Sequence, residues 1–354
     1  MGRHAERAAA QAGASEDDCE TMPDLSNILR EPRYDLVKAP TPLQRLAGFE
    51  RKLGRPGLYM KRDDLMEIGL GGNKLRSLEF WLGAALLERA DIVLVAGGAT
   101  SNLCRLTAAA ASMAGLGCVI IHNAEDTPAN RERSFLNRLF GAATRFIGPV
   151  GEDERGAATK AAAEELSRQG RAPYVVGDAV LGALGYVLAA FELQEQSQRE
   201  SAPLRHVVLA GSMGPTEAGF TFGNAMLGHP FQVHLVSVEY GQAELEARIS
   251  RIYDGIGERT GLAIGGLDQA PLHYHMAHLG GGWGVPTPES EAAIVAFART
   301  EGILIEHVYT AKACAGFLDL VADGTIPPDE PACVLHTGGT ASLFSQREQF
   351  RTVS

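Results

Sequence analysis

Short, unbroken apolar runs alternate with longer helix-like stretches along most of this chain. From residue 91 the series is regular. DIVLVAGG is an apolar run ended by glycines, SNLCRLTAAAASMAGL is helical, GCVIIHN is a second apolar run and ANRERSFLNRLFG is helical. TRFIG and PYVVGD are strand-like, with AATKAAAEELSRQG helical between them and LGALGYVLAAFELQEQ helical after them. A second series opens near residue 205 with the strand RHVVLAG, a loop and helix in SMGPTEAGFTFGNAML, the strand FQVHLVSVEY and the helix ELEARISRIYDGIGERTG. A loop rich in Gly and His is expected over about 272–287, followed by the helix ESEAAIVAFARTEGI, the segment EHVYTAKACAGFLDLV and the strand PACVLHTGG.

Strands alternating with helices indicate βαβ units and parallel sheets. The strand runs are apolar throughout instead of alternating, as strands covered on both faces are. The expected fold class is therefore α/β, with two domains that each hold an open, mostly parallel sheet flanked by helices. The small domain is expected over 79–190 and the large one over 23–78 together with 191–354. No short repeat period is visible, which argues against solenoids and propellers. In open α/β sheets ligands gather beyond the carboxyl ends of the strands, where the loops collect.

The length, 354 residues, is enough for two domains with a large buried core. The formal net charge of −11 argues against a broad nucleic-acid-binding surface. No apolar run reaches the ~18 residues that span a bilayer, so no membrane partner is expected. The opening stretch MGRHAERAAAQAGASEDDCETM lacks the apolar core of a secretory signal, and residues 1–22 are expected to form a mobile tail. The five cysteines are odd in number and widely spaced, with no C-x-x-C pair. That pattern supports neither a disulfide framework nor a zinc ribbon, and fits reduced thiols in the cytoplasm.

Candidate chemistry begins at GGNKLR, residues 71–76. Two glycines free the backbone for φ > 0 and for close approach by another molecule. Asn73 adds an amide, and Lys74 opens a helix. A lysine in a first helical turn is slightly unfavourable by the helix dipole, so the setting suits either a plain loop or a lysine placed for use. In AGGATSNLCR, Ser101 and Asn102 lie at a helix N-terminus, where free N–H groups favour an anion; Ser101 equally suits an N-cap. The loop AGSMGPTEAG, residues 210–219, is a phosphate cradle in principle, although it lacks the Gly-Lys-Ser/Thr ending of a Walker loop and Pro215 has no N–H to give. EHVYTAKA and HTGGTASLF follow, with Tyr309 and Thr310 able to face a ligand. The histidines of LHYHMAHLGGGWG lack the spacing of a metal motif, and no metal is expected. A lysine, an anion site and a glycine loop together suit a cofactor that carries both a carbonyl and a phosphate. A lysine amine can condense with an aldehyde, and pyridoxal phosphate supplies the aldehyde, the phosphate and an electron sink.

These residues carry a resemblance. KRDDL with GGNKLRSLEF, GGATSNLCRLTAAAA, LGALGY, VVLAGSMGPTEAG, WGVP, EGILIEHVYTAKA and HTGG occur in the order seen in pyridoxal-phosphate enzymes of the tryptophan-synthase-β type (fold type II). Within them the chain is similar to the D-cysteine desulfhydrase and 1-aminocyclopropane-1-carboxylate deaminase family, from about residue 36 to 344. The resemblance implies that Lys74 holds the cofactor through its amine and moves protons at the substrate, with Asn73 in the same motif. It places Ser101 at the reacting carbon or the substrate carboxylate and Asn102 at the cofactor's 3′-oxygen. Ser212, Met213, Gly214 and Thr216 would surround the phosphate. Thr310 would face the pyridine nitrogen, and Tyr309 would line the substrate pocket. A hydroxyl at the ring nitrogen suits an elimination in which a β-substituent leaves soon after the α-proton, which points toward the desulfhydrase branch.

Four departures from the family pattern stand out: Leu103 for His or Gln, Trp283 for Tyr, Pro215 for Gly, and Gly177-Asp178-Ala179 for Gly-Ser-Asn. Leu103 and Trp283 suggest a different or less polar substrate side chain. The implied function is a lyase that converts a small amino acid, D-cysteine or another β-substituted one, to a 2-oxo acid and ammonia. Ring-opening deamination, β-replacement in a biosynthetic pathway and cofactor binding without turnover are the alternatives. The resemblance also implies a homodimer.

Overall fold

A computed structural model describes residues 24–345, so the expected tail over 1–22 lies outside the described residues. The strands are β1 (Leu43–Arg45), β2 (Leu58–Arg62), β3 (Ile92–Ala96), β4 (Gly117–His122), β5 (Ala143–Phe146), β6 (Pro173–Val175), β7 (His206–Gly211), β8 (Gln232–Ser237), β9 (Leu272–His275) and β10 (Ala332–His336). They form two sheets, one ordered β1-β2-β10-β7-β8-β9 and one ordered β5-β4-β3-β6. Every pairing is parallel except β1 with β2. The fold is α/β, with helices on both faces of each sheet.

The apolar runs have a direct physical reading. Successive side chains of a strand point to opposite faces. Val207 and Leu209 of β7 enter one core, while Val208 and Ala210 enter another across the sheet. In β3, Val93 and Val95 join the first core, and Ile92 and Leu94 join a third. No alternation survives in the sequence because both faces are covered.

Glycines bring three helices into close register. A Cβ on Gly219, in the Pro215–Met226 helix, would collide with the Ala183 carbonyl of the Ala179–Ser197 helix. A Cβ on Gly185 would collide with the Arg76 carbonyl in the Lys74–Leu87 helix. The starts of the lysine helix and of the loop helix are thereby held relative to one another. A buried charge cluster adds a second anchor. Arg76 donates to both carboxylate oxygens of Asp63 at 2.9 Å, and to Glu192 at 2.8 and 3.0 Å. Lys61 reaches the same Glu192, and the Tyr186 hydroxyl donates to Asp63 at 2.6 Å.

Three elements differ from the expectation. The helix expected over ANRERSFLNRLFG is split at Ser134 into Pro128–Arg133 and Phe135–Leu139, and the Ser134 hydroxyl donates back to the Arg131 carbonyl. The helix expected from AATK begins earlier, at Glu152, where Glu152, Asp153 and Glu154 complement the positive end of the dipole. The stretch expected as a loop from 272 opens with the edge strand β9, paired to β8. Its His275 joins a hydrogen-bonded row, His206 to His234 at 2.9 Å and His234 to His275 at 3.0 Å, while its His273 stacks on His234 and hydrogen-bonds the Gln232 side chain.

Candidate active site

A cavity of about 500 Å³ opens at the carboxyl ends of β3, β7, β8 and β10, and both sheets contribute to its wall. Gly97 and Gly98 follow β3, Ser212 and Met213 follow β7, Glu239 and Tyr240 follow β8, and Thr337 follows β10. This is the place where an open parallel sheet gathers its loops.

Lys74 is the first residue of its helix and lines this cavity. The glycines before it are required by geometry: Gly71 has φ 65° and Gly72 has φ 136°. A Cβ on Gly71 would strike the Asp64 carbonyl. Gly72 bridges to Gly338, and the Asn73 N–H donates to the Thr337 carbonyl at 3.0 Å. The lysine is thus carried on a turn pinned to the end of β10. Burial lowers the Lys74 pKa and favours the neutral amine, while the charges of Glu217 and Glu239 act in the opposite sense. The Asn73 amide donates to the Thr216 hydroxyl at 3.0 Å, which ties the lysine turn to the loop after β7.

Ser101 caps the Asn102–Met113 helix, accepting from the Cys104 N–H at 3.3 Å, and also lines the cavity. The two sequence readings of this serine are therefore compatible. The neighbouring Asn102 has a buried side-chain oxygen with no hydrogen-bond partner among the described residues. Such an oxygen is costly to bury unless a ligand completes it. Leu103 is half-buried on the same wall.

The loop after β7 contributes Ser212, Met213 and Thr216 to the cavity. Gly214 takes φ 106° and turns the chain into the helix, behind the cavity wall and against Ile252. Across the mouth, Trp283 lies over Gly98, and its indole N–H donates to the Tyr309 hydroxyl at 2.8 Å. Burial holds the Tyr309 hydroxyl well above its ordinary pKa, while the Trp283 hydrogen bond lowers it.

Thr310 departs from its expected place. It is fully buried, and its hydroxyl accepts from the Glu306 N–H at 2.9 Å and contacts the Glu306 carboxylate at 3.2 Å. It does not line the cavity, whereas Thr337 does. The sequence reading missed Thr337, Glu217, Glu239, Tyr240, Arg155 and Arg248 on the wall. Glu239 and Tyr240 end the strand-like run FQVHLVSVEY, so the strand-end rule could have nominated them. Arg155 lies inside a helix with no local signal. Arg248 stacks over the Tyr240 ring at 4.2 Å and pairs with Glu152 at 2.9 Å.

Among the described residues no group of three or more His, Cys, Asp or Glu side chains is arranged to hold a metal ion. An amine held toward its neutral form, an unpartnered asparagine oxygen and a glycine loop at a helix start converge on an aldehyde that bears a hydroxyl and a phosphate.

Comparison with known proteins decides the matter. Residues 34–338 match the family described as pyridoxal-phosphate dependent enzyme. The chain belongs to that family. As a pyridoxal-phosphate dependent enzyme it is 37% identical over 326 residues to a D-cysteine desulfhydrase of Serratia proteamaculans, covering 90% of this chain and 97% of that one. It is 35% identical over 329 residues to a D-cysteine desulfhydrase of Salmonella paratyphi B, covering 91% and 98%. Among solved structures, an ACC deaminase homologue superposes with a TM-score of 0.83 at 29% identity, covering 92% of this chain and 97% of that one. A threonine deaminase from Solanum lycopersicum shares the fold, with a TM-score of 0.65 at 17% identity, covering 93% and 88%. With these relatives the enzyme is a pyridoxal-phosphate dependent lyase of fold type II. Among the described residues no helix is long and apolar enough to cross a membrane.

Proposed function

We propose that this lyase removes a β-substituent and ammonia from a small amino acid, with D-cysteine or a related β-substituted amino acid as substrate. The observation that carries the reading is the meeting, in one cavity, of the Lys74 amine, the Ser101 hydroxyl and the unpartnered Asn102 oxygen. Pyridoxal phosphate, when bound, supplies the aldehyde for the amino group and a conjugated ring that accepts the electrons of the broken Cα–H bond. Lys74 would hold it by the amine, Asn102 would meet its ring oxygen, and Ser212, Met213 and Thr216 would face its phosphate.

The chain's own groups then act on the substrate. Lys74, held toward its neutral form by burial, takes the α-proton. Ser101, at a helix N-terminus, holds the substrate carboxylate, helped by the positive end of the dipole. Tyr309 presents its hydroxyl proton to the departing β-substituent. Trp283, over Gly98, narrows the mouth and limits water. Leu103 beside Ser101 supports a β-substituent that is no more polar than a thiol. The products are a 2-oxo acid, ammonia and the protonated leaving group; for cysteine these are pyruvate, ammonia and hydrogen sulfide, with one water consumed.

The test is product analysis with D-cysteine, L-cysteine, S-alkyl cysteines and 1-aminocyclopropane-1-carboxylate, with and without an added thiol. Equal release of 2-oxo acid and ammonia from a cysteine-type substrate supports the reading. Capture of the thiol would instead indicate β-replacement, and turnover of the cyclopropane alone a ring-opening deaminase. Binding of the cofactor with no product from any substrate would indicate a non-catalytic binder. We also propose a cytoplasmic homodimer. Support comes from the four described cysteines, which are free and buried, as suits a reducing compartment. Light scattering at twice the chain mass tests the assembly.

A further inference from the structure

The loop that follows β7, read above as the phosphate loop, has one of its N–H groups taken by a carboxylate of the chain itself. The Ser212 N–H donates to the Glu217 carboxylate; burial raises the Glu217 pKa, and the N–H groups of Ser212, of Glu217 itself and of Gly214, with the Lys74 charge, act in the opposite sense and favour the carboxylate. Glu217 is the third residue of the Pro215–Met226 helix, is 3% exposed as a residue, and reaches the cavity wall. Pro215, at the first helical position, offers no N–H, so a carboxylate and a phosphate must share few donors. A second carboxylate, Glu239, takes the Ser212 hydroxyl. Among the described residues neither Glu217 nor Glu239 is in a salt bridge. The phosphate end of this cavity therefore carries two carboxylates that the Lys74 amine offsets only at longer range than a salt bridge.

We propose that Glu217 is an internal stand-in for the cofactor's phosphate: its carboxylate fills the anion seat of the loop in the free protein and vacates it when the phosphate arrives. The proposal rests on the reading of this loop as the phosphate-holding part of the site. In the free protein a carboxylate at the helix start satisfies orphan N–H groups and complements the dipole. On cofactor binding the same group is a competitor. The apparent affinity falls by the fraction of molecules in which the seat is open. A glutamate that merely braced the helix start would act in the opposite direction, since its loss would loosen the loop and weaken binding.

The experiment uses apoprotein prepared from the holoenzyme by cofactor removal. Wild type, Glu217→Gln and Glu217→Ala are titrated with pyridoxal phosphate and, separately, with pyridoxal, which lacks the phosphate. Thermal melts establish folding, and the isosteric Glu217→Gln carries the test if Glu217→Ala does not fold. The expected result is a wild type that prefers pyridoxal phosphate to pyridoxal, and variants whose Kd for pyridoxal phosphate is about tenfold lower. The Kd for pyridoxal stays unchanged, and the variants' apoproteins melt at a lower temperature. Unchanged or weakened pyridoxal phosphate binding in the variants, with the preference over pyridoxal kept, overturns the stand-in and leaves the phosphate loop intact. Equal binding of pyridoxal phosphate and pyridoxal by wild type overturns both.

Discussion

The Trp283 indole nitrogen and the Tyr309 hydroxyl oxygen lie 2.8 Å apart, with the indole as donor. An indole N–H donates and never accepts. Tyr309 must therefore aim its own proton at some other group, and the cavity is where both residues meet. A tyrosine at position 283 could exchange donor and acceptor roles with Tyr309. Trp283→Phe keeps the bulk and removes the donor. We expect kcat to fall about fivefold to tenfold, the worth of one hydrogen bond, with little change in KM. Trp283→Tyr should restore most of the loss, because a phenol can also donate. Steady-state kinetics on the three proteins checks this.

The Arg76 cluster holds the start of the lysine helix against β2. Asp63 is wholly buried and receives two of the Arg76 N–H groups. Removing one partner of such a pair leaves a buried charge without compensation. Arg76→Leu should lower unfolding free energy by about 3–5 kcal/mol, measured by urea titration of the holoenzyme.

Gly219 should resist enlargement. An added Cβ meets the Ala183 carbonyl and lies 2.9 Å from the Tyr186 Cβ. Gly219→Ala should cost about 1–3 kcal/mol and displace the helix that carries Thr216. Both the melting temperature and the cofactor Kd should worsen, whereas Gly156→Ala, inside the Glu152–Arg168 helix with open space around its Cβ, should leave the Kd unchanged and raise the melting temperature slightly.

The histidine row predicts acid sensitivity. Burial, then the charges of His206, His273 and His275, pushes His234 down to about 3. The unfolded chain would protonate this histidine near pH 6.5, where the folded protein does not. The unfolded state thus binds more protons between about 6.5 and about 3, and stability falls as pH drops through that window. The slope is at most about 1.4 kcal/mol per pH unit for this one group. His234→Gln should flatten the loss between pH 7 and pH 5, measured by denaturant unfolding at each pH.

Much of the fold was legible in the chain because double coverage of the parallel strands left continuous apolar runs. β7 and β10 could be read from HVVLAG and ACVLH alone. β9 was not legible, since LHYH alternates apolar with histidine and those histidines find their partners on β8, His275 at His234 and His273 at Gln232. The setting of Lys74 was visible in GGNK, where positive φ demands glycine. The position of Thr310 was not, because its hydroxyl is claimed by Glu306, a buried carboxylate that also caps the turn through the N–H groups of Val308, Tyr309 and Thr310. A threonine in a motif does not announce which neighbour will take its hydroxyl. The same limit applies to Glu217, whose residue type was plain and whose partner was not.

The central claim is that Lys74 is the amine that carries the cofactor. Two other lysines, Lys61 and Lys312, are buried even more completely, so burial alone does not choose among the three. Lys61 is bound to Glu192, and Lys312 donates to the carbonyls of Leu279 and Gly282 at 2.8 Å, whereas Lys74 opens into the cavity. The measurement is borohydride reduction of the holoenzyme, which turns a lysine–cofactor linkage into a stable amine, followed by peptide mass analysis. The account predicts the reduced cofactor on the peptide that contains Lys74, and its loss in Lys74→Ala. A label on Lys61 or Lys312, or a label that persists in Lys74→Ala, would contradict it.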